Sequence, residues 1–463
     1  MASPSPESPS GLASEMAYEP FESADETSEM DETMMRPKKS VLMLELAPFG
    51  LEKLYDYEPG GLHPIHLGDV IGDAYRILHK LGHGGFATVW LARDLRAKDT
   101  TKYVALKIIR ADSSGDDCPE LLLDRLASEI EEGGGRGYLC FPLSRFKFDG
   151  PNGTHLCFVY PTLGPRVCHG VFRDSDDLGS ILRRVCRGVT AAIASLHRQG
   201  FCHGDLRPHN ILHAVAGFDG LSEKEILGAL GEPHRNPVLD AKREGHAMPT
   251  VPQYLVYPAL WENVDARFLL ETPSVIDFGE CFNISDPPED VGTPGCYRSP
   301  ELLLKYKLGI QSDLWALGCT LFEIRTGRKL FESFDDSDDD YLEDMCLVLG
   351  RLPEPLWSTT WRDRRRCFTD EVDDNGRVIP VGEPERVIYR TNVDRSVPQG
   401  ARSLVDKLAP GVWYMDARVC QANREIPEEE KPVFADLLGK LLALDPENRI
   451  SAQAALEHEW FTS

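Results

Sequence analysis

The sequence predicts an α+β protein of two lobes, a small β-rich lobe followed by a large helical one. Three observations predict it. A glycine-rich turn, Gly82 to Ala87, lies between apolar runs that read as strand, turn and strand, and a β-branched run, Val104-Ala105-Leu106-Lys107-Ile108, follows it. In the second half, Ser312-Asp313-Leu314-Trp315-Ala316-Leu317-Gly318 opens a strongly apolar helix. The 463 residues are enough for two lobes with separate cores.

Residues 1 to about 40 are rich in Ser, Pro, Glu and Asp and poor in large apolar groups, so a disordered acidic tail is expected there. The small lobe is expected over 53–163. Tyr57-Glu58-Pro59-Gly60-Gly61-Leu62-His63-Pro64 places a Pro-Gly-Gly turn ahead of it, and Tyr75-Arg76-Ile77-Leu78 leads into the stretch from Leu81 to Trp90. There Gly82, Gly84 and Gly85 permit a tight turn and let the backbone approach phosphates with no Cβ in the way. A glycine-rich β-turn that holds no ligand would look the same. Lys107 interrupts the run from Val104 to Ile108, where a lone lysine is ordinarily a solvated edge residue. Leu121 to Ile130 has helical apolar spacing and carries Glu129, with Glu131 and Glu132 as rivals just beyond it. Leu156-Cys157-Phe158-Val159 then precedes Tyr160-Pro161-Thr162-Leu163.

The most informative stretch is His203-Gly204-Asp205-Leu206-Arg207-Pro208-His209-Asn210, which reads H-x-D-L-x-P-x-N. Downstream stand Ser274-Val275-Ile276-Asp277-Phe278-Gly279, then Tyr297-Arg298-Ser299-Pro300-Glu301. In this order and company the elements resemble the glycine-rich loop, the strand lysine, the catalytic loop, the D-F-G element and the A-P-E element of eukaryotic protein kinases.

That resemblance implies a two-lobed kinase fold, with the large lobe over 164–463, and the transfer of the γ-phosphoryl group of ATP with Mg²⁺. Asp205 would position the acceptor hydroxyl and take its proton. Lys107, held by Glu129, would orient the α- and β-phosphates, and Arg207 would place a charge near the γ-phosphate. Asn210 and Asp277 would carry the metal ions. Leu81, Gly82, His83, Gly84, Gly85, Val89, Ala105, Leu163 and Leu212 would surround the nucleotide, with the Leu163 amide as the hinge contact. Glu301 would pair with Arg449, and Asp313 would anchor the catalytic-loop backbone, both as structural residues.

Within that group the chain resembles the SR-protein kinases over roughly residues 53 to 463. Tyr57 to Pro64 is similar to the family's Y-x-P-G-G-Y-H-P lead-in, and Leu81 to Leu91 resembles L-G-x-G-x-F-S-T-V-W-L with Ala87 in place of Ser. The region from Leu342 to Trp361, with Leu349-Gly350-Arg351-Leu352-Pro353, resembles the insert after the large-lobe helices. A spacer of about 214–272 separates Asn210 from Asp277, where the family carries its own. In it, Leu221 to Leu227 reads as a helix capped by Ser222, and Pro249 to Val256 as an extended piece. A docking element and a plain surface excursion both fit this spacer.

Four residues depart from the general kinase pattern. Ala87 replaces the third glycine of the loop. Gly204 stands where an arginine commonly pairs with a phosphorylated activation loop, so switching by that route is not expected. Arg207 stands for a lysine and presents a forked donor instead of a point charge. Pro161 removes a backbone N–H at the hinge.

Composition restricts the partners. Fifty basic residues against 75 acidic ones give a net charge of −25, which argues against nucleic acid as a direct ligand and for a basic protein substrate; the resemblance implies that this substrate is Arg/Ser-rich. Asp335-Asp336-Ser337-Asp338-Asp339-Asp340, with Glu343 and Asp344, lies where the resemblance places a docking region for arginine-rich substrates; a solvated helix start is the plain alternative. The 12 cysteines contain no C-x-x-C pair and read as reduced, mostly buried thiols. No apolar segment is long enough to span a membrane and no signal pattern opens the chain, so a monomer of the cytoplasm or nucleus is expected. A nucleotide-binding scaffold with weak or absent catalysis is the alternative function.

Overall fold

Alternating burial along successive strands builds the small lobe. The computed structural model describes residues 42–98, 102–130, 135–167, 171–172, 175–261, 264–306, 308–333, 335–374, 376–381, 403–414 and 422–462. The acidic tail and the rivals Glu131 and Glu132 lie outside the described residues. After a short strand, Met43–Leu44 (β1), come Val70–Ile71 (β2), Tyr75–His83 (β3), Ala87–Asp94 (β4), Lys102–Ile109 (β5), Ser144–Gly150 (β6) and Gly153–Pro161 (β7). Strands β2 to β7 form one antiparallel sheet in the order β2-β3-β4-β5-β7-β6.

The period of two in β5 decides where the strand lysine points. Val104, Leu106 and Ile108 enter one core with Ile77, Trp90 and Val159. Ala105 and Lys107 therefore face the other way, toward the cleft and the short helix Leu122–Glu129 (α1).

The large lobe is built on two long helices, Leu178–Arg198 (α2) and Ile310–Thr326 (α5). In α2 the buried residues Leu178, Ile181, Leu182, Val185, Val189, Ala192, Ile193 and Leu196 recur at helical spacing. Helix α5 is buried along nearly its whole length and packs against Glu430–Leu441, with Trp315, Phe322, Phe434 and Leu438 in one core. Among the described residues no helix is long and apolar enough to cross a membrane.

Beneath the interlobe connection, Leu163–Arg166 (β8), Ile211–Val215 (β10) and Leu269–Val275 (β13) form a small antiparallel sheet, β13-β10-β8. The strand Phe201–Cys202 (β9) enters the loop before β10. One small sheet thus carries the connection, the segment after Asn210 and the segment before Asp277.

The spacer belongs to the small lobe in space although it interrupts the large lobe in sequence. Glu223–Leu230 (α3) begins with a complete capping box between Ser222 and Glu225, as expected from the sequence. Its Ile226 and Leu230 pack with Leu78, Leu91, Tyr103 and Phe218, and Glu223 pairs with Arg93 at 3.0 Å and with Arg76. Arg235–Leu239 (β11) joins β1 to Tyr254–Val256 (β12) in a three-stranded sheet. The buried amide of Asn236 grips Leu46 from both sides, accepting from its N–H at 2.9 Å and donating to its carbonyl at 3.1 Å. The small lobe therefore begins before residue 53, with β1.

Candidate active site

The loop from His203 to Asn210 is held from below. Asp313, buried at the start of α5, accepts the backbone N–H of His203 at 2.8 Å and that of Gly204 at 3.1 Å. Gly204 has φ of +79°, and a Cβ there would meet the Glu280 carbonyl at 2.1 Å, so glycine is the residue this backbone accepts.

Two side chains converge on Asp205. Asn210 Nδ2 donates to Asp205 O and Oδ2, both at 2.8 Å, and Arg207 Nε donates to Oδ2 at 3.2 Å. The other oxygen, Oδ1, is buried and has no hydrogen-bond partner among the described residues. A buried lone acceptor is costly unless a donor arrives, and an acceptor hydroxyl is such a donor. Burial raises the Asp205 carboxyl above its usual range, with Arg207 and Asn210 pulling it partly back.

Across the cleft, Lys107 Nζ donates to Asp277 Oδ1 at 3.1 Å and to Glu120 Oε1. Burial disfavours the ammonium, but Glu120 and Asp277 outweigh it and raise Lys107. The Lys107 charge in turn lowers Asp277. Asp277 sits at φ of 62°, a left-handed conformation that aspartate tolerates better than most residues. The Ile276 N–H donates to Asn210 O at 2.9 Å, tying the segment before Asp277 to the catalytic loop.

Glu129 does not hold Lys107. It ends α1, is half-exposed, and accepts from Arg125 at 2.7 Å. Glu120 lies in the turn Pro119–Leu121 that leads into α1, and it is buried. On an α-helix the two positions are separated by about two and a half turns, so they face opposite sides. The sequence signal that could have found Glu120 is Pro119, a preferred residue in the first turn.

The glycine-rich turn is closed by a bond from the Gly84 N–H to Ala87 O at 2.9 Å. A Cβ built on Gly82, Gly84 or Gly85 meets nothing within 4 Å, so the space over the loop is open to a ligand. Val89 is the cross-strand partner of Lys107, and Ala105 that of Tyr160 at the end of β7. Leu163 begins β8, and Leu212 is in register with Arg166 on β10. His83 turns outward and bonds the carbonyl of Gly50 at 3.0 Å.

A protein kinase domain model matches residues 268–461. Along most of its length the chain is similar to the serine/threonine-protein kinase SRPK of Physarum polycephalum, at 28% identity over 88% of this chain and 90% of that protein. It is also similar to the serine/threonine-protein kinase AFC3 of Arabidopsis thaliana, at 27% over 89% and 87%, and to protein kinase dsk1 of Schizosaccharomyces pombe, at 25% over 68% and 73%. The chain is a serine/threonine protein kinase, similar along most of its length to these relatives.

Hydrogen bonds fasten the kinase's activation segment to the catalytic loop and to itself. The Thr293 hydroxyl donates to the Gly204 carbonyl, and Arg298 donates to Thr293 O at 2.6 Å and to Val291 O at 2.8 Å. Thr293 was not singled out by the sequence, because a threonine between two motifs carries no pattern of its own. Glu301 takes both terminal nitrogens of Arg449, at 2.6 and 2.9 Å, in a buried bidentate pair.

The acidic run divides between surface and core. Asp338, Asp339 and Asp340 form the first turn of Asp338–Leu349 (α6), where they complement the helix dipole. Asp344, however, is buried and paired with Lys407 at 3.0 Å, and Glu343 is buried as well. Neither belongs to an acidic surface.

Proposed function

We propose that the kinase transfers the γ-phosphoryl group of Mg-ATP to serine or threonine hydroxyls of Arg/Ser-rich proteins. The observation that carries this reading is the convergence of Asp205, Asn210, Asp277 and Lys107, with Asp205 Oδ1 left without a donor. The donor set suits magnesium: a carboxylate at Asp277 and an amide at Asn210, whose nitrogen is committed to Asp205 and whose oxygen is left for a hard cation. When bound, the metal neutralises charge on the phosphates being separated.

The remaining work falls to the chain's own groups. Lys107, kept cationic by Glu120 and Asp277, orients the phosphates beneath the open glycine turn. Asp205 Oδ1 accepts the hydrogen bond of the acceptor hydroxyl and then its proton, while Oδ2 stays with Asn210 and Arg207. The Arg207 guanidinium lies beside this carboxylate and offers its remaining N–H groups to the transferring phosphoryl group. The exposed Asp335, Asp336 and Asp338 support long-range attraction of a basic substrate.

The test is transfer from Mg-ATP to an arginine-serine repeat peptide, set beside a serine peptide in an acidic context, with Asp205→Asn as control. Strong transfer to the repeat peptide that the variant loses supports the reading. ATP binding with transfer to neither peptide would show a nucleotide-binding scaffold.

A further inference from the structure

In a chain of net charge −25, the large-lobe side of the catalytic loop carries a local excess of cations. Arg166 ends β8, His209 lies in the turn before Asn210, and Lys329 follows α5. Arg166 Nη1 donates to His209 Nε2 at 2.6 Å, which fixes the guanidinium over the loop. The charges of Lys329, Arg166 and Arg207 all bear on the Glu323 carboxyl, so the three cations share one small region.

The carboxylates nearby are already engaged. Glu323 accepts the Tyr297 hydroxyl at 2.5 Å, and Asp205 is held by Arg207 and Asn210. Arg166 and Lys329 are exposed, and among the described residues neither has a carboxylate within ion-pair distance. Two solvated cations aimed at the same patch repel one another, an arrangement that an incoming anion relieves.

The patch lies on the substrate side of the cleft. The Lys329 charge bears on the Cys296 thiol of the activation segment, and Glu323 stands on α5, in the large lobe, away from the glycine turn. A peptide chain must cross this surface to bring a hydroxyl to Asp205.

We propose that Arg166 and Lys329, with His209 steadying Arg166, form a specificity subsite that receives an anionic side chain, a carboxylate or a phosphate, flanking the acceptor hydroxyl of the protein substrate. The proposal rests on the kinase reading above and deepens it. An Arg/Ser-rich substrate is compatible with it: arginines meet the acidic surface near α6, and a serine that already bears phosphate enters this subsite. Guanidinium and ammonium groups bind phosphate through charge-assisted hydrogen bonds, more strongly than they bind a single carboxylate oxygen.

The experiment measures kcat/KM for serine peptides that carry phosphoserine, Asp, Ala or Arg at each flanking position. The full chain, Arg166→Glu/Lys329→Glu and Arg166→Gln/Lys329→Gln are compared, with KM for ATP followed in each. The expected result is a preference of about tenfold for an anionic flank at one or two positions, weakened by salt. It should be lost in the Gln pair and reversed toward Arg in the Glu pair, with KM for ATP unchanged. Preference for phosphoserine alone identifies phosphate as the ligand; equal preference for Asp identifies a carboxylate as sufficient. An anion preference that survives both double variants, or no anion preference at any position, overturns the subsite. Transfer to none of the peptides overturns the kinase reading itself, and the subsite with it.

Discussion

Glu120 and Lys107 form the ion pair that joins the entry turn of α1 to strand β5, and Asp277 completes it from the large lobe. Lys107 thus has one carboxylate on each side of the cleft, which holds its charge where the proposed reading places the phosphates. Removing one partner of a buried pair leaves the other uncompensated, an effect of about 3–5 kcal/mol in comparable sites. Glu120→Gln should therefore lower kcat/KM for ATP by roughly a hundredfold, reading about 2.7 kcal/mol of that effect at 1.36 kcal/mol per decade. Glu129→Gln, on a half-exposed pair with Arg125, should change it less than about twofold. Steady-state kinetics on the two variants decides between them, and equal losses would sink the assignment.

Asp205 predicts the pH dependence of the chemical step. To accept a proton the carboxyl must be ionised, and burial raises its folded-state value above the ordinary 3.8. Activity should therefore be full at neutral pH and fall as pH drops through that raised value, at a higher pH than an unperturbed aspartate would give. Asp205→Asn should lose about 10²–10⁴ in kcat while retaining ATP binding. If the acid limb of the wild-type profile lay at or below the ordinary carboxylate value, the role would be wrong.

Gly204 provides a steric test. At φ of +79° an alanine Cβ would collide with the Glu280 carbonyl at 2.1 Å, and the left-handed conformation alone costs about 1–2 kcal/mol. Gly204→Ala should displace the loop that carries Asp205 and cut kcat by an order of magnitude or more, with KM for ATP little changed. Gly204→Arg should do no better, since the backbone and not the missing guanidinium is the constraint. Activity in either variant close to wild type would refute this.

Much of this site was legible because its residues sit in short motifs with fixed neighbours. Asp205, Asn210, Asp277 and the Glu301–Arg449 pair each lie in a local pattern, and the period of two in Val104–Ile108 aims Lys107 without reference to anything distant. What escaped depends on tertiary placement. Glu129 satisfied the helical spacing as well as Glu120 could, and only the start of the helix at Pro119 separates them. Asp344 looked like part of an acidic surface until its partner, Lys407, distant in sequence, was brought beneath it. The destination of the spacer was equally hidden: Ser222 and Glu225 announce a helix, but nothing local says that Ile226 packs on Leu78 and Leu91 of the other lobe.

That destination carries the last prediction. The spacer leaves the large lobe after β10 and returns at β13, and between them it buries Ile226 completely against the small-lobe sheet. It is thus a second connection between the lobes, beside the hinge at Leu163. Truncating a fully buried isoleucine leaves a cavity that costs about 2–5 kcal/mol. Ile226→Ala should accordingly loosen the small lobe first, with increased amide exchange in β3 and β4 while α5 stays protected. Glu223→Ala, which breaks partly exposed pairs with Arg76 and Arg93, should have a smaller effect at about 1 kcal/mol or less. A spacer that merely lay on the surface would give no change in exchange on β3 or β4 in either variant, and that result would sever the link between this insert and the nucleotide-binding lobe.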